Sequence, residues 1–227
     1  MISDLRRSRA PNAASSEDVP SPSSMPAPTP WQAGLVGLVL CVAAHSAPAA
    51  EGLAVAMPPA SARATAEVFF SPDGGADRAI ATAIGAARQR VWVAGYYFTS
   101  SVIAKAIEQA HQRKIDVRVV LDKSQVTLRY SSATYFHNQK VPLWINASYP
   151  LMHHKFVVID ADTVGFGSMN FTRAGAGQNA DNFNLFRRWP AMAETYAREF
   201  QRLQRESLPY RPGMRFERDG TLLPAEE

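Results

Sequence analysis

The sequence predicts an α/β fold, an α/β/α sandwich on a mixed, largely parallel central sheet. Two patterns predict it. From Glu67 to Ser207, short apolar runs alternate with longer stretches whose apolar residues recur at helical spacing. The early runs are apolar almost throughout, as strands are when helices bury both their faces. A hydrophobic fraction of 46% over 227 residues supplies enough apolar surface for such a core.

The elements follow in order. "EVFF" (Glu67–Phe70) reads as a short strand, broken by Pro72, Asp73, Gly74 and Gly75. Ala76, Ile80, Ala83, Ile84 and Ala87 then keep a helical period. "VWVAGYYF" (Val91–Phe98) is a strand buried on much of both faces. Ser100 and Ser101 are capping residues for a helix that carries Ile103, Ala106, Ile107 and Ala110 on one side. "IDVRVVLD" (Ile115–Asp122) is the next strand, and residues 124–139 are part helix. "VPLWI" and "HKFVVID" are strands, and "TVGFGS" returns from a turn at Asp160–Thr163. A polar, Gly-rich loop from Asn170 to Asn182 leads to the strand Phe183–Phe186. The last helix, Pro190–Ser207, shows Met192, Tyr196, Phe200 and Leu203 on one face. No internal repeat is present.

The flanks have a different composition. Residues 1–30 are rich in Ser, Pro and Ala, and cannot bury enough apolar surface to repay ordering. "AGLVGLVLCVAA" (Ala33–Ala44) is too short for a membrane span of about 20 residues but suits a signal-peptide core. Ala47-Pro48-Ala49 offers a cleavage site. Residues 1–49 are thus expected to be a leader removed near Ala49, placing the protein in the periplasm or outside the cell without stable membrane insertion. Met25 is an alternative start to Met1. Residues 50–65 read as a linker, 66–207 as the domain and 208–227 as a polar, loosely held tail. The single cysteine, Cys41, lies in the leader, so a mature chain has no disulfide, thiol nucleophile or cysteine-ligated zinc.

One stretch concentrates polar chemistry. In "HHKFVVIDADTVGFGSMN" (His153–Asn170), His153 and Lys155 share a strand face, roughly 7 Å apart, while His154 points away. The hairpin returns Gly167, Ser168 and Asn170 alongside. Glycine permits close backbone approach, and the two short side chains offer neutral donors. A histidine, a fixed cation and neutral donors form a cradle for a phosphoryl group. No His-Glu zinc spacing, P-loop or dinucleotide-binding glycine pattern is present.

His153-x-Lys155-x4-Asp160-x6-Gly167-Ser168-x-Asn170 resembles, in full, the HKD motif of the phospholipase D superfamily. The order of elements is similar to that of the small single-motif bacterial endonucleases. "NADN" (Asn179–Asn182) stands where these carry Asn-x-Glu-Asn, so Asp181 replaces the usual Glu. The resemblance implies a phospholipase D-like fold and two-step phosphodiester cleavage through a phosphohistidine, with no metal or cofactor. It implies His153 as nucleophile or acid, and Lys155, Ser168 and Asn170 as phosphate-oxygen ligands. Asp181, one methylene shorter than Glu, would orient His153 by a longer or water-mediated contact, and Asp160, counted with the catalytic set, would brace the hairpin and Lys155.

Cleavage of this kind uses two histidines, and the chain has one HxK. A homodimer with a composite site meets the requirement. Residues 66–207 carry 17 Lys and Arg against 12 Asp and Glu, a net +5. With the short chain, this favours a sequence-nonspecific endonuclease acting on DNA or RNA over a lipid phosphodiesterase or a non-catalytic nucleic-acid-binding protein. Arg173, Arg187 and Arg188 either track a nucleic-acid backbone or are solvated. Tyr96, Tyr97 and Phe98 read as core in preference to a base-stacking platform, and His154 as a packed histidine in preference to a ligand.

Overall fold

A computed structural model describes residues 53–57, 63–128 and 131–224. The expected leader, its cleavage site and part of the linker lie outside them. Among the described residues no helix is long and apolar enough to cross a membrane.

Eight strands form one sheet: β1 (Thr65–Phe70), β2 (Arg90–Gly95), β3 (Asp116–Asp122), β4 (Leu143–Asn146), β5 (Lys155–Ile159), β6 (Thr163–Gly167), β7 (Asn182–Arg187) and β8 (Ser207–Pro209). Their order across the sheet is β1-β7-β6-β5-β2-β3-β4-β8. Helices α1 (Ala76–Gly85), α2 (Ser101–Gln112) and α3 (Ser132–Asn138) pack on one face. The longest helix, α5 (Pro190–Arg205), covers the other with Ala193, Ala197, Phe200 and Leu203. The α/β/α sandwich expected from the alternation of elements is therefore present.

The sheet is mixed, but its parallel part is smaller than the sequence implies. Only β2–β3 and β3–β4 are parallel, joined by α2 and by a 3-10 turn (Lys123–Val126) followed by α3. The other five pairings are antiparallel. Apolar continuity reports burial on both faces, not direction. All five residues of β5 are buried although both neighbours run against it. Two-sided helix cover gives antiparallel strands the pattern expected of parallel ones.

Local chemistry explains other boundaries. Ser100 caps α2 by accepting from Ile103 N. β2 stops at Gly95, short of the expected Phe98, because the buried Gln125 side chain accepts from Phe98 N (3.1 Å) and Phe98 pairs with Phe171 instead. The polar loop contains a short helix, α4 (Arg173–Gly177), capped by Thr172.

The tail differs most from expectation. β8 adds an antiparallel edge to β4, and Tyr210, Met214 and Phe216 pack against the core. Phe216 pairs with Leu222, and Gly220 (φ 95°) turns the chain against the Ala147 carbonyl, where a Cβ would lie 2.0 Å from that oxygen. These apolar residues are spaced irregularly among charges, so no period betrays them.

Candidate active site

β5 opens at Lys155, leaving His153 and His154 in the extended approach to the strand. That approach is pinned from below. Asp122, 1% exposed at the end of β3, accepts from Met152 N (2.8 Å) and Ser124 N (2.9 Å). The buried carboxylate thus fixes the backbone immediately before His153.

Lys155 is 7% exposed and donates to the His153 carbonyl (2.8 Å). Its Nζ also lies 2.8 Å from His153 Nδ1 and 2.9 Å from Nε2. Burial pushes the Lys155 ammonium down from its ordinary value, and the nearby Asp181 carboxylate opposes this. His153 is also lowered, first by burial and then by the Lys155 charge, with Asp122 pulling the other way. A lowered pKa keeps more imidazole neutral, which a nucleophile requires. In an NMR pH titration His153 should titrate below the ordinary histidine value. Lys155→Met should move it upward, since a neighbouring cation disfavours imidazolium; an unchanged or lower value would contradict the coupling.

The return strand supplies neutral donors. Ser168 Oγ donates to Asp181 Oδ1 (2.7 Å) and accepts from Asn182 N (3.0 Å), while Ser168 N donates to Asn182 Oδ1 (3.3 Å). Gly167 is required here, because a Cβ would meet the Asn182 carbonyl oxygen at 2.1 Å. Asn170 Oδ1 accepts weakly from Tyr97 N (3.5 Å), beside the Phe98–Phe171 bridge. His153, Lys155, Gly167 and Ser168 line one open depression of about 320 Å³ with Asn182 and Asn184.

One expected role changes, that of Asp160, and Asp181 makes no direct contact with the imidazole. Asp181 does not bond His153 among the described residues; its carboxylate engages Ser168, and its backbone is tied to Ser71 by Ser71 N→Asp181 O (2.9 Å). Asp160 belongs to neither the imidazole nor the lysine. It lies at the far end of β5, roughly 16 Å along the strand at about 3.3 Å per residue. There, at φ 52°, its carboxylate accepts from the backbone N–H groups of Arg88, Gln89 and Arg90. It braces the entry to β2 rather than Lys155.

His154 points to the opposite face as expected, but is half-exposed rather than packed. Its Nε2 lies 3.2 Å from Glu199 Oε1. Glu199 continues to Arg202, which reaches Tyr149 and Glu206, so the approach to His153 is also tied to α5. Arg187 pairs with Glu67 (2.8 Å), whereas Arg173 and Arg188 are exposed.

Sequence reasoning set Tyr96 and Tyr97 in the core over a base-stacking platform and missed their place beside His153. Phe98 is core, but the Tyr96 ring lies 4.6 Å from the His153 ring and 5.4 Å from Lys155 Nζ. Its hydroxyl is pushed up to about 12, by its hydrogen bond with Tyr97, then by burial and the Tyr97 and Asp122 charges. It therefore stays protonated near neutral pH. The capture of Phe98 N by Gln125, which turns the tyrosines out of the strand, leaves no sequence signal. Asp122 likewise reads as one more strand-end residue.

Residues 80–204 match the family described as "Cardiolipin synthase, PLD-like domain". Nuc, a phospholipase D family member from Salmonella typhimurium, has a similar structure at TM-score 0.63 and 32% identity, covering 66% of this chain and 99% of that one. The phospholipase D of Rickettsia bellii (strain RML369-C) is 30% identical over 120 residues, 53% of this chain and 60% of the relative. The mitochondrial cardiolipin hydrolase of Xenopus laevis is 31% identical over 114 residues, 50% of this chain and 54% of the relative. The chain thus spans about 60% or less of the length of these two curated relatives. With more than half of its residues matched and His153, Lys155, Gly167 and Ser168 of the HKD motif gathered at one end of its sheet, the chain belongs to the phospholipase D superfamily.

Proposed function

We propose that the protein is a metal-independent phosphodiesterase, and that it acts as a sequence-nonspecific endonuclease on DNA or RNA. The observation that carries this is the contact of Lys155 with both the ring and the carbonyl of His153, beside the Ser168–Asp181 pair. His153 attacks phosphorus, forming an N–P bond as the P–O bond to the leaving group breaks. Lys155 offsets phosphoryl charge, and the Asn170 amide and the Ser168 hydroxyl, once it turns from Asp181, donate to its oxygens. Water then cleaves the N–P bond. Among the described residues no three His, Cys, Asp or Glu side chains converge as metal ligands would, and a cation and neutral donors occupy the cradle instead.

Nucleic acid is favoured by the open depression and by the net +5 of residues 66–207. One observation favours a lipid phosphodiester as second reading. A cavity of about 660 Å³, lined by Leu53, Val55, Met192 and the shared His154, Phe166 and Tyr196, adjoins the depression. Plasmid DNA, RNA and phospholipid vesicles incubated with the protein in excess EDTA separate the readings. Cleavage of nucleic acid and not lipid is expected; activity restored only by a divalent ion would overturn the mechanism.

The leaving oxygen needs a proton, and the chain has a single HxK, so His153 of a second copy is the proposed donor. Mixing equal amounts of wild-type and His153→Ala chains to exchange equilibrium leaves about one quarter wild-type homodimers. Activity should approach one quarter of an all-wild-type sample at equal total protein. A value near one half, or a fully active monomer by sedimentation, would show that each subunit works alone.

A further inference from the structure

Three rings stand in a row beside the catalytic depression. The Tyr97 and Tyr96 centroids are 4.2 Å apart at 31°, and Tyr96 and His153 are 4.6 Å apart at 54°. The outer member, Tyr97, is 37% exposed, while the next residue, Phe98, is fully buried. This exposure is not a loose end. Tyr97 N is directed at Asn170 Oδ1 and Phe98 N at Gln125 Oε1, so the backbone is held on both sides. Among the described residues Tyr96 is the one ring in contact with Tyr97, at a tilt of 31°. An anchored, part-exposed aromatic ring beside the site proposed for phosphoryl transfer is a surface for a flat ligand group.

We propose that Tyr97 stacks the nucleobase flanking the scissile phosphate, so that base, Tyr97, Tyr96 and the His153 imidazole form one run of contacting rings. The proposal rests on the nucleic-acid reading above and names what sets substrate register there. It also explains how a site without base-edge readout can align a strand, because every base offers a π-face and stacking tolerates any sequence. A quaternary ammonium headgroup is the other ligand an aromatic face could take. It is disfavoured because the Lys155 ammonium already lies 5.4 Å from the Tyr96 ring and repels a second cation.

The test uses thymidine hexamers whose one cleavable linkage is a central phosphodiester, the rest being methylphosphonates. Parallel hexamers carry an abasic sugar just 5′ or just 3′ of that linkage. On the intact hexamer, Tyr97→Ala should lower kcat/KM about 5- to 150-fold, with Tyr97→Phe close to wild type. For the wild-type protein, one of the two abasic hexamers should show a loss of similar size. The losses should not add: Tyr97→Ala on that hexamer should be no slower than either change alone. Additive losses, or equal cleavage of all three hexamers by wild type, would overturn the stacking while leaving the endonuclease reading intact. No cleavage of the parent hexamer alongside cleavage of plasmid would also overturn it, since one flanking base would then not suffice to align the bond. Failure on every nucleic acid removes the reading itself. A Tyr97→Ala loss confined to phosphatidylcholine vesicles would assign the ring to a headgroup.

Discussion

His153→Ala should lower turnover by more than about 10⁴-fold with thermal unfolding nearly unchanged. Acid–base assistance alone is typically worth ~10²–10⁴-fold, and this substitution also removes the atom that forms the covalent intermediate. No other side chain can replace it: His154 points to Glu199 on the other face, and Lys155 is buried against the very ring that would be lost. His154→Ala supplies the comparison. Its contact with Glu199 is half-exposed, and even a charged pair so placed is worth at most about 1 kcal/mol, so that variant should keep most of its turnover. Steady-state kinetics and a melting curve on each variant decide the matter. An inactive but folded His154 variant beside a working His153 variant would reverse the assignment of faces.

Gly167→Ala should destabilise the domain by about 2–4 kcal/mol, a fall in Tm of roughly 5–15 °C for a chain of this size. The added Cβ would sit 2.1 Å from the Asn182 carbonyl oxygen and 2.8 Å from Phe183 Cα. Both are backbone atoms of the paired strand β7, so no side chain can turn aside to relieve the overlap. Ser168 follows directly and exchanges hydrogen bonds with Asn182, so activity should fall further than stability explains. Gly85→Ala is the control. Nothing lies within 4 Å of its Cβ, at the end of α1, and relief of glycine's chain entropy makes it neutral or slightly stabilising. Equal Tm values for the two variants would show that β6 and β7 are less closely apposed.

The residues that carry the motif were legible because their spacing is fixed along one hairpin, and strand periodicity alone puts His153 with Lys155 and against His154. Contacts that depend on distant chain were not. Asp122 lies 30 residues before its partner Met152, in a run that reads only as strand. Asp160 stands five residues after Lys155, yet its partners are 70 to 72 residues away at the entry to β2. Asp181 was assigned a partner by its place near the motif; in the fold, its carboxylate meets Ser168 first. Sheet direction failed for a related reason. Hydrophobic runs record how deeply a strand is covered, whereas direction depends on which connections cross a face. Those connections placed β1 and β8 at opposite edges, each antiparallel to its neighbour.

The pairing of β1 with β7 also has a consequence in time. Glu67 and Arg187, whose side chains join the two strands, are 120 positions apart. At synthesis rates of about 5–20 residues per second, the ribosome needs roughly 6–24 s to make the stretch between them. Through that interval the first strand has no partner, and "TAEVFF" must wait in an unfinished chain. The domain cannot be completed from its N-terminal half, and most of its edge-to-edge closure comes late, as high contact order dictates. A nascent chain is thereby held open until nearly all of the domain exists, a delay written into the strand order.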